Sequence, residues 1–359
     1  MTKNIHQFVS GFANGDAISN EALAIRAILR SWGYASEIYC ETNRILPDLR
    51  KTAFDMSVCE RALKQEDVVI LHLSIGSATN DVFARLKCRK AIIYHNITPH
   101  KAFLPINSQT ASCLELGRKQ LAQLAGSAEV NLADSRYNAG EMTELGYKEV
   151  KVLPLVIDFS LLDSRQDNAV IRKYNDGVKN IIFVGRMAPN KKIEDCIKAF
   201  SYIQKHVNSN TRFIHIGSYA GTERYYRFTQ AFAKEIGTKN VEFAGSVPQA
   251  ALNAYYKIAD LFLCMSEHEG CCIPILEAMH HRVPVAAFAA AAVPETMDGA
   301  GILFLEKDYP VIAETAGRVI SDSILKERLI AGQDKRMTRY KKIDLAEQLK
   351  EHLKPLLGN

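Results

Sequence analysis

The chain has 359 residues, more than one ordinary small domain holds, and at roughly 150 residues per domain the length predicts two. Apolar residues at 47% and charged residues at 24% are those of a globular chain and exclude wholesale disorder. The net charge of +5 is mild; it suits an anionic ligand, but no nucleic-acid module accompanies it, so no nucleic-acid partner is expected.

In chain order, residues 5–9 predict a strand, Gly11 to Asp16 a loop, and 19–32 an amphipathic helix with Gly33 as its C′ cap. Strands are predicted at 36–39, 68–72, 91–94, 130–133 and 150–153. The polar stretch 163–168 predicts a linker. Beyond it the pattern resumes with strands at 180–184, 212–216, 241–244, 261–265, 285–288 and 302–304. Helices are predicted near 193–207, 224–236, 249–258, 274–281 and 309–320, and the chain after Ile324 is helical and highly charged. Continuous apolar strands alternating with helices imply parallel sheets covered on both faces. The predicted fold class is α/β, with two doubly wound Rossmann-like domains facing a cleft. Their predicted bounds are 1–165 and 166–335, and the helical segment 336–359 packs back toward the first domain.

The longest apolar run, residues 285–293, is about half the ~20 residues a membrane span needs. The start of the chain lacks a secretory apolar core, so a cytoplasmic protein is expected. Eight cysteines contain no C-x-x-C pair, and adjacent Cys271 and Cys272 do not have structural-zinc spacing. His268-Glu269 starts like a zinc-protease helix, but position 272 is Cys rather than His. Neither a metal nor a cofactor is expected, and most cysteines are expected in the core. The basic clusters at 87–90 and 335–342 fit either a solvated face or peripheral contact with an anionic membrane.

Two loops carry the chemistry. Strand 180–184 runs into Gly185-Arg186 and, five residues after the arginine, Lys191. Two cations in one loop at a strand end can converge on a diphosphate, and a basic surface loop is the plain alternative. Strand 261–265 runs into Glu269-Gly270-Cys271-Cys272-Ile273-Pro274, with Glu277 in the helix that follows. Pro274 suits a first helical turn. The amides of Cys271, Cys272 and Ile273 would then face an anion or a hydroxyl, and both glutamates could border one pocket.

These motifs, with Leu276-Glu277-Ala278-Met279, Val283-Pro284-Val285 and Val293-Pro294-Glu295-Thr296, resemble the retaining GT-B glycosyltransferases of family GT4. The likeness covers nearly the whole chain and is strongest over 180–305. It implies an N-terminal acceptor domain, a C-terminal nucleotide-sugar domain, and a metal-independent hexosyl transfer that retains anomeric configuration. By the same resemblance Arg186 and Lys191 grip the donor diphosphate, Glu269 meets the donor sugar and Glu277 the ribose. Gly185, Gly270, Cys271, Cys272 and Ile273 border the donor. Gly15 and Asp16 face the diphosphate or the acceptor, and His95 stands near the reacting carbon, with His72 the weaker candidate. The implied partners are a UDP- or GDP-sugar and a sugar or lipid-linked acceptor in O-antigen, capsule or exopolysaccharide synthesis, met at the inner face of the plasma membrane. A disaccharide synthase, a GT-B epimerase and a catalytically silent nucleotide-sugar-binding subunit are the competing functions.

Five positions depart from the family pattern, and the first-strand loop lacks the usual Gly-Gly pair. Cys272, Lys192, Arg282 and the pair Ala291-Ala292 stand where glycine is common in relatives. If Arg282 is left-handed, it carries ~1–2 kcal/mol of strain.

Overall fold

A computed structural model describes residues 4–155 and 157–357. The backbone divides into two compact units, one of Met1–Lys101, Ser108–Val156 and Asp344–Asn359, the other of Ala102–Asn107 and Ile157–Ile343. Each is built on one sheet whose strand pairs are all parallel.

In unit 1 the strands are β1 (Ile5–Val9), β2 (Ile38–Cys40), β3 (Phe54–Asp55), β4 (Val68–Leu73), β5 (Arg89–Tyr94), β6 (Val130–Ala133) and β7 (Lys151–Val152), in the order β3-β2-β1-β4-β5-β6-β7. After β1 the chain works outward through β2 and β3, then returns to the other side of β1 as β4. That reversal opens a crevice at the C-terminal ends of β1 and β4, where open α/β sheets bind ligands. β1 and β4 are buried along their whole length, as strands covered on both faces must be. The first helix, Ala17–Ser31, starts two residues before its predicted position because Asp16 caps it: the Asp16 Oδ2 accepts from the Ser19 amide at 2.9 Å. Its buried stripe is Ala22, Ile25 and Leu29 (with Glu21 beside them). β3, a half-exposed edge strand of two residues, is absent from the sequence reading because it has no alternation to detect.

Unit 2 has β8 (Lys179–Val184), β9 (Thr211–Ile216), β10 (Val241–Gly245), β11 (Leu261–Cys264), β12 (Val285–Phe288) and β13 (Ile302–Phe304), in the order β10-β9-β8-β11-β12-β13. The reversal falls between β8 and β11, the two strands whose loops carry the predicted donor residues.

The unit boundaries differ from the predicted ones. The polar stretch 163–168 is bound into unit 2 rather than bridging domains. The Asp163 carboxylate bonds the His280 imidazole at 2.8 Å, and the Asp167 amide donates to the Ala250 carbonyl at 2.8 Å. Asp158 and Asp167 cap short helices, so the local polarity reflects helix capping and not a free linker. At the other end the division falls at 343/344 and not 335/336. The helix Ser323–Tyr340 belongs to unit 2, where Gln333 bonds the Val285 amide and the Val283 carbonyl. The helix Leu345–Leu357 belongs to unit 1 and buries Leu349, Leu353 and Leu356 against Ile5, Val68, Ile93 and Leu132. Their i, i+4, i+7 spacing is one helical face. No described helix is long and apolar enough to cross a membrane.

Candidate active site

In unit 2 the end of β8 is held close to the end of β9. A Cβ on Gly217 would lie 1.9 Å from the Gly185 carbonyl oxygen, so only glycine lets the two loops meet. Arg186 then projects into solvent and finds no hydrogen-bond or ion-pair partner among the described residues. Lys191 behaves differently. Its Nζ lies 2.5 Å from Glu269 Oε2, with side-chain exposures of 22% and 5%. Burial works against that ammonium, and Glu269, with the Cys272 and Cys264 thiols, outweighs burial and raises its pKa. The structure thus joins two residues that the sequence assigned to different parts of the donor, one to its phosphates and one to its sugar. Glu269 Oε1 is buried with no hydrogen-bond partner among the described residues.

Asn190 fastens the Lys191 turn to the Glu269 loop. Its Nδ2 donates to the His268 carbonyl at 3.0 Å, and its own carbonyl accepts from the Glu267 amide at 2.9 Å. Cys272 caps the helix Ile273–His280, with Pro274 in the first turn. The amides of Gly270, Cys272 and Ile273 meet no acceptor among the described residues, as expected of the first amides of a helix. The Cys271 carbonyl is taken by the Thr296 hydroxyl.

Glu277 sits on that helix, and its Oε2 accepts from the Tyr256 hydroxyl at 2.7 Å. Burial raises the Glu277 pKa, and the tyrosine bond opposes the rise. Tyr256 stacks on His281 with ring centres 5.0 Å apart and planes 12° apart. Tyr256 and Asn190 are absent from the sequence reading. On an amphipathic helix Tyr256 looks like any core aromatic, and only the fold aims its hydroxyl.

Four of the five residues at family-glycine positions adopt left-handed backbone: Lys192 at φ +50°, Cys272 at +56°, Arg282 at +58° and Ala291 at +50°, while Ala292 is right-handed. Each left-handed residue carries ~1–2 kcal/mol that a glycine would not. Lys192 and Cys272 flank the Lys191–Glu269 pair, so the strain is concentrated at the loops that carry the candidate site.

In unit 1 the predicted loop residues serve the helix more than a ligand. The Asp16 Oδ2 accepts from both the amide and the hydroxyl of Ser19, so this carboxylate is committed to the cap. Gly15 is exposed at φ +70°, the turn that leads into it. His95 follows β5 and is buried beside His72 at the end of β4: His72 Nδ1 to His95 Nε2 is 2.9 Å. The ring planes are 5° apart with centres 5.2 Å apart, so the facing nitrogens lie on the line joining the rings. The two nitrogens therefore aim at each other, one N–H at one lone pair as in a hydrogen bond, rather than at a common centre as two metal ligands would. Glu21 Oε2 stands 3.4 Å from His95 Nε2, and Asp134 Oδ2 stands 3.6 Å from His95 Nδ1. Burial pushes the Glu21 carboxyl up to about 7. His72 is driven well down by burial and then by His95. For His95 burial works downward, but Glu21, Asp134 and Asp16 outweigh it and raise the pKa. Glu21 and Gln7 had a sequence signal: each is a polar residue inside a buried apolar stripe.

A second buried group joins Cys264, Glu269 and Cys272, with ligand atoms within 4.8 Å of one another. The Lys191 ammonium already engages the Glu269 carboxylate there.

Known proteins are similar to this chain in sequence and in fold. O-antigen chain mannosyltransferase B of Escherichia coli is 24% identical over 217 residues, covering 58% of this chain and 56% of that protein. Serotype-specific mannosyltransferase WbdA of Escherichia coli is 24% identical over 180 residues, 48% of this chain and 22% of that protein. The chain thus spans about half the length of the first relative and less of the second. The crystal structure of Anabaena HepE in complex with UDP and glucose superposes with a TM-score of 0.75 over 98% of this chain and 99% of that one, at 15% identity. At that identity the likeness shows the fold, which is GT-B. The model of the family described as glycosyl transferases group 1 matches residues 164–353, just over half of the sequence, and the chain belongs to that family.

Proposed function

We propose that this chain is a glycosyltransferase moving a hexose from a nucleotide-diphosphate sugar to an acceptor hydroxyl with retention at the anomeric carbon. The observation that carries the proposal is the grouping in unit 2: a partnerless Arg186, the Lys191–Glu269 pair, and a helix N-terminus with open amides. In this reading the donor diphosphate draws Lys191 toward itself and Arg186 closes on the phosphates. Glu269 and the amides of Gly270, Cys272 and Ile273 meet the sugar, with Cys271 beside them. Glu277, aimed by Tyr256, takes the ribose hydroxyls.

The bond from the anomeric carbon to the phosphate oxygen breaks, and the bond to the acceptor oxygen forms on the same face. The acceptor proton passes to the departing phosphate. Charge develops on the diphosphate as the bond breaks, and two cations with an oriented helix terminus stabilise it at the point of development. That arrangement needs no divalent ion and no cofactor. In unit 1, His95 serves the sugar side of the reaction. Asp16, spent on its cap, is left out of the contact set, and Gly15 is kept only as the turn before it.

The names of two relatives favour mannose as the sugar and O-antigen-type polysaccharide as the product, built on a lipid-linked acceptor at the inner membrane face. UDP- and GDP-sugars are both donor candidates, and GDP-mannose heads the panel. The test incubates the protein with UDP-, GDP- and ADP-sugars in EDTA, with and without a polyprenyl-diphosphate-linked sugar. Nucleotide diphosphate plus a product whose NMR coupling keeps the donor anomer supports the proposal. Binding without turnover would assign a silent subunit, and an epimerised donor would assign epimerase chemistry. Full activity on a soluble sugar acceptor would assign a disaccharide synthase. Arg186→Ala should lower turnover by on the order of 10²-fold with the fold retained.

A further inference from the structure

The buried cluster of unit 1 has more polar order than packing requires. Its proton positions can be read outward from one fixed acceptor. A backbone carbonyl only accepts, so the Gln7 side-chain atom 3.0 Å from the Ala22 carbonyl is the amide nitrogen. The Gln7 oxygen is then the atom 2.9 Å from His72 Nε2, and that nitrogen must carry hydrogen. His72 is fully buried with its charged form disfavoured, so its one proton is accounted for and Nδ1 is bare. His95 Nε2, 2.9 Å from that bare nitrogen, must therefore donate. Every hydrogen in the chain is now placed except one, the proton on His95 Nδ1.

Two carboxylates border the His95 ring, Glu21 on the Nε2 side and Asp134 at the remaining Nδ1 position. Glu21, from the first helix, lies 3.4 Å from His95 Nε2 and 3.9 Å from His72 Nδ1. Asp134, after β6, lies 3.6 Å from His95 Nδ1 and is held in place by the Asn138 side chain, which in turn accepts from Asn96 at 2.7 Å. Asp16, at the cap of the first helix, adds a more distant negative charge. A bare Nδ1 would set its lone pair against the Asp134 carboxylate, whereas a protonated one faces it favourably. Neither Glu21 oxygen has a hydrogen-bond partner among the described residues, so that carboxylate acts on the histidine pair as charge rather than through a bond.

We infer that Gln7, His72 and Glu21 are positioning residues for His95: Gln7 and His72 lock its proton onto Nε2, and Glu21, once ionised, favours the ring as a cation whose single mobile proton sits on Nδ1. The meaning of that cation for sugar transfer rests on the function proposed above; the proton order itself does not.

Two experiments separate these. In the wild-type protein, ¹⁵N–¹H correlation of the imidazoles, assigned with His72→Gln and His95→Asn spectra, reports tautomers without any activity. The expected result is His72 neutral and protonated at Nε2 from pH 5 to 9. His95 should be doubly protonated at low pH and lose its Nδ1 proton above pH 6.5. His72 protonated at Nδ1, or His95 losing its Nε2 proton, overturns the inference even if transfer is intact. The second experiment uses Glu21→Gln, which keeps shape, and Glu21→Asp, which keeps charge. If Glu21 acts as charge, Glu21→Gln moves the alkaline limb of kcat to lower pH, each unit lowering activity about tenfold above it, with KM for donor little changed. Glu21→Asp then stays closer to wild type. The reverse order, with Gln tolerated and Asp not, indicates a packing role and refutes the charge role. Absence of transfer with every donor would count against the proposed function and leave the tautomer result to decide this inference.

Discussion

Replacing Lys191 by Met keeps most of the side-chain volume and removes the ammonium. The Glu269 carboxylate, 5% exposed and with Oε1 already lacking a partner, then loses the one cation that contacts it among the described residues. Removing one partner of a buried pair costs ~3–5 kcal/mol, because the other charge stays buried and uncompensated. With a urea slope of about 2–3 kcal/mol/M, the midpoint of unit 2 should fall by about 1–2.5 M. The double variant Lys191→Met, Glu269→Gln has no charge to strand and should regain most of that loss. Turnover should not follow: both variants lack a cation for the diphosphate and should be down on the order of 10²-fold or more. Urea unfolding by far-UV circular dichroism reads the effect. Trp32, the chain's one tryptophan, lies in unit 1 and gives an internal control whose fluorescence midpoint should not move. A double variant as unstable as the single, or wild-type turnover in Lys191→Met, refutes the reasoning.

Three further outcomes are expected. Tyr256→Phe removes the hydroxyl that restrains the Glu277 pKa against burial, so that pKa rises further. Loss of a hydrogen bond to a carboxylate is worth ~1.5–3 kcal/mol, and nucleotide affinity measured by calorimetry should fall by about tenfold or more. Glu21 binds a proton up to about pH 7 in the folded chain but only to about 4.3 when unfolded, so the folded state holds more protons between those values. Its contribution to stability therefore falls as pH rises through that window. Glu21→Gln should gain urea stability relative to wild type from pH 5 to pH 8, read at Trp32, and a variant that instead loses stability relative to wild type over that range would contradict the assignment. Leu353→Ala opens a cavity in the core of unit 1 and should cost ~2–5 kcal/mol, again visible at Trp32; a change under 1 kcal/mol would show that the last helix does not hold that core.

The alternation of apolar strands and helices was legible because burial on both faces leaves continuous hydrophobic runs such as Val68–Leu73. The two loops after β8 and β11 were legible for a related reason: charged and small residues at a strand end stand out against the run before them. The edge strand Phe54–Asp55 and the unit boundary at 343/344 were not. Two residues hold no periodicity, and a helix's charged face does not say which core receives its apolar face. The missing glycines were visible as residue types, but their cost depends on φ, which the folded loop sets.

What the sequence by itself determined was a mild positive charge, two α/β units and the residues carried by their strand-end loops. Chemistry that depends on residue type and local periodicity survives in one dimension. Tertiary structure alone decided that Lys191 meets Glu269 across 78 positions, that Tyr256 aims Glu277, and that Asp16 is a helix cap. It also decided that Gln7, His72 and His95 form one hydrogen-bonded chain with the Glu21 carboxyl beside it, since residues from β1, the first helix, β4 and the end of β5 become neighbours only when the parallel sheet reverses its order at β1 and β4. Partnership between side chains is a property of that crossover, and no local pattern encodes it.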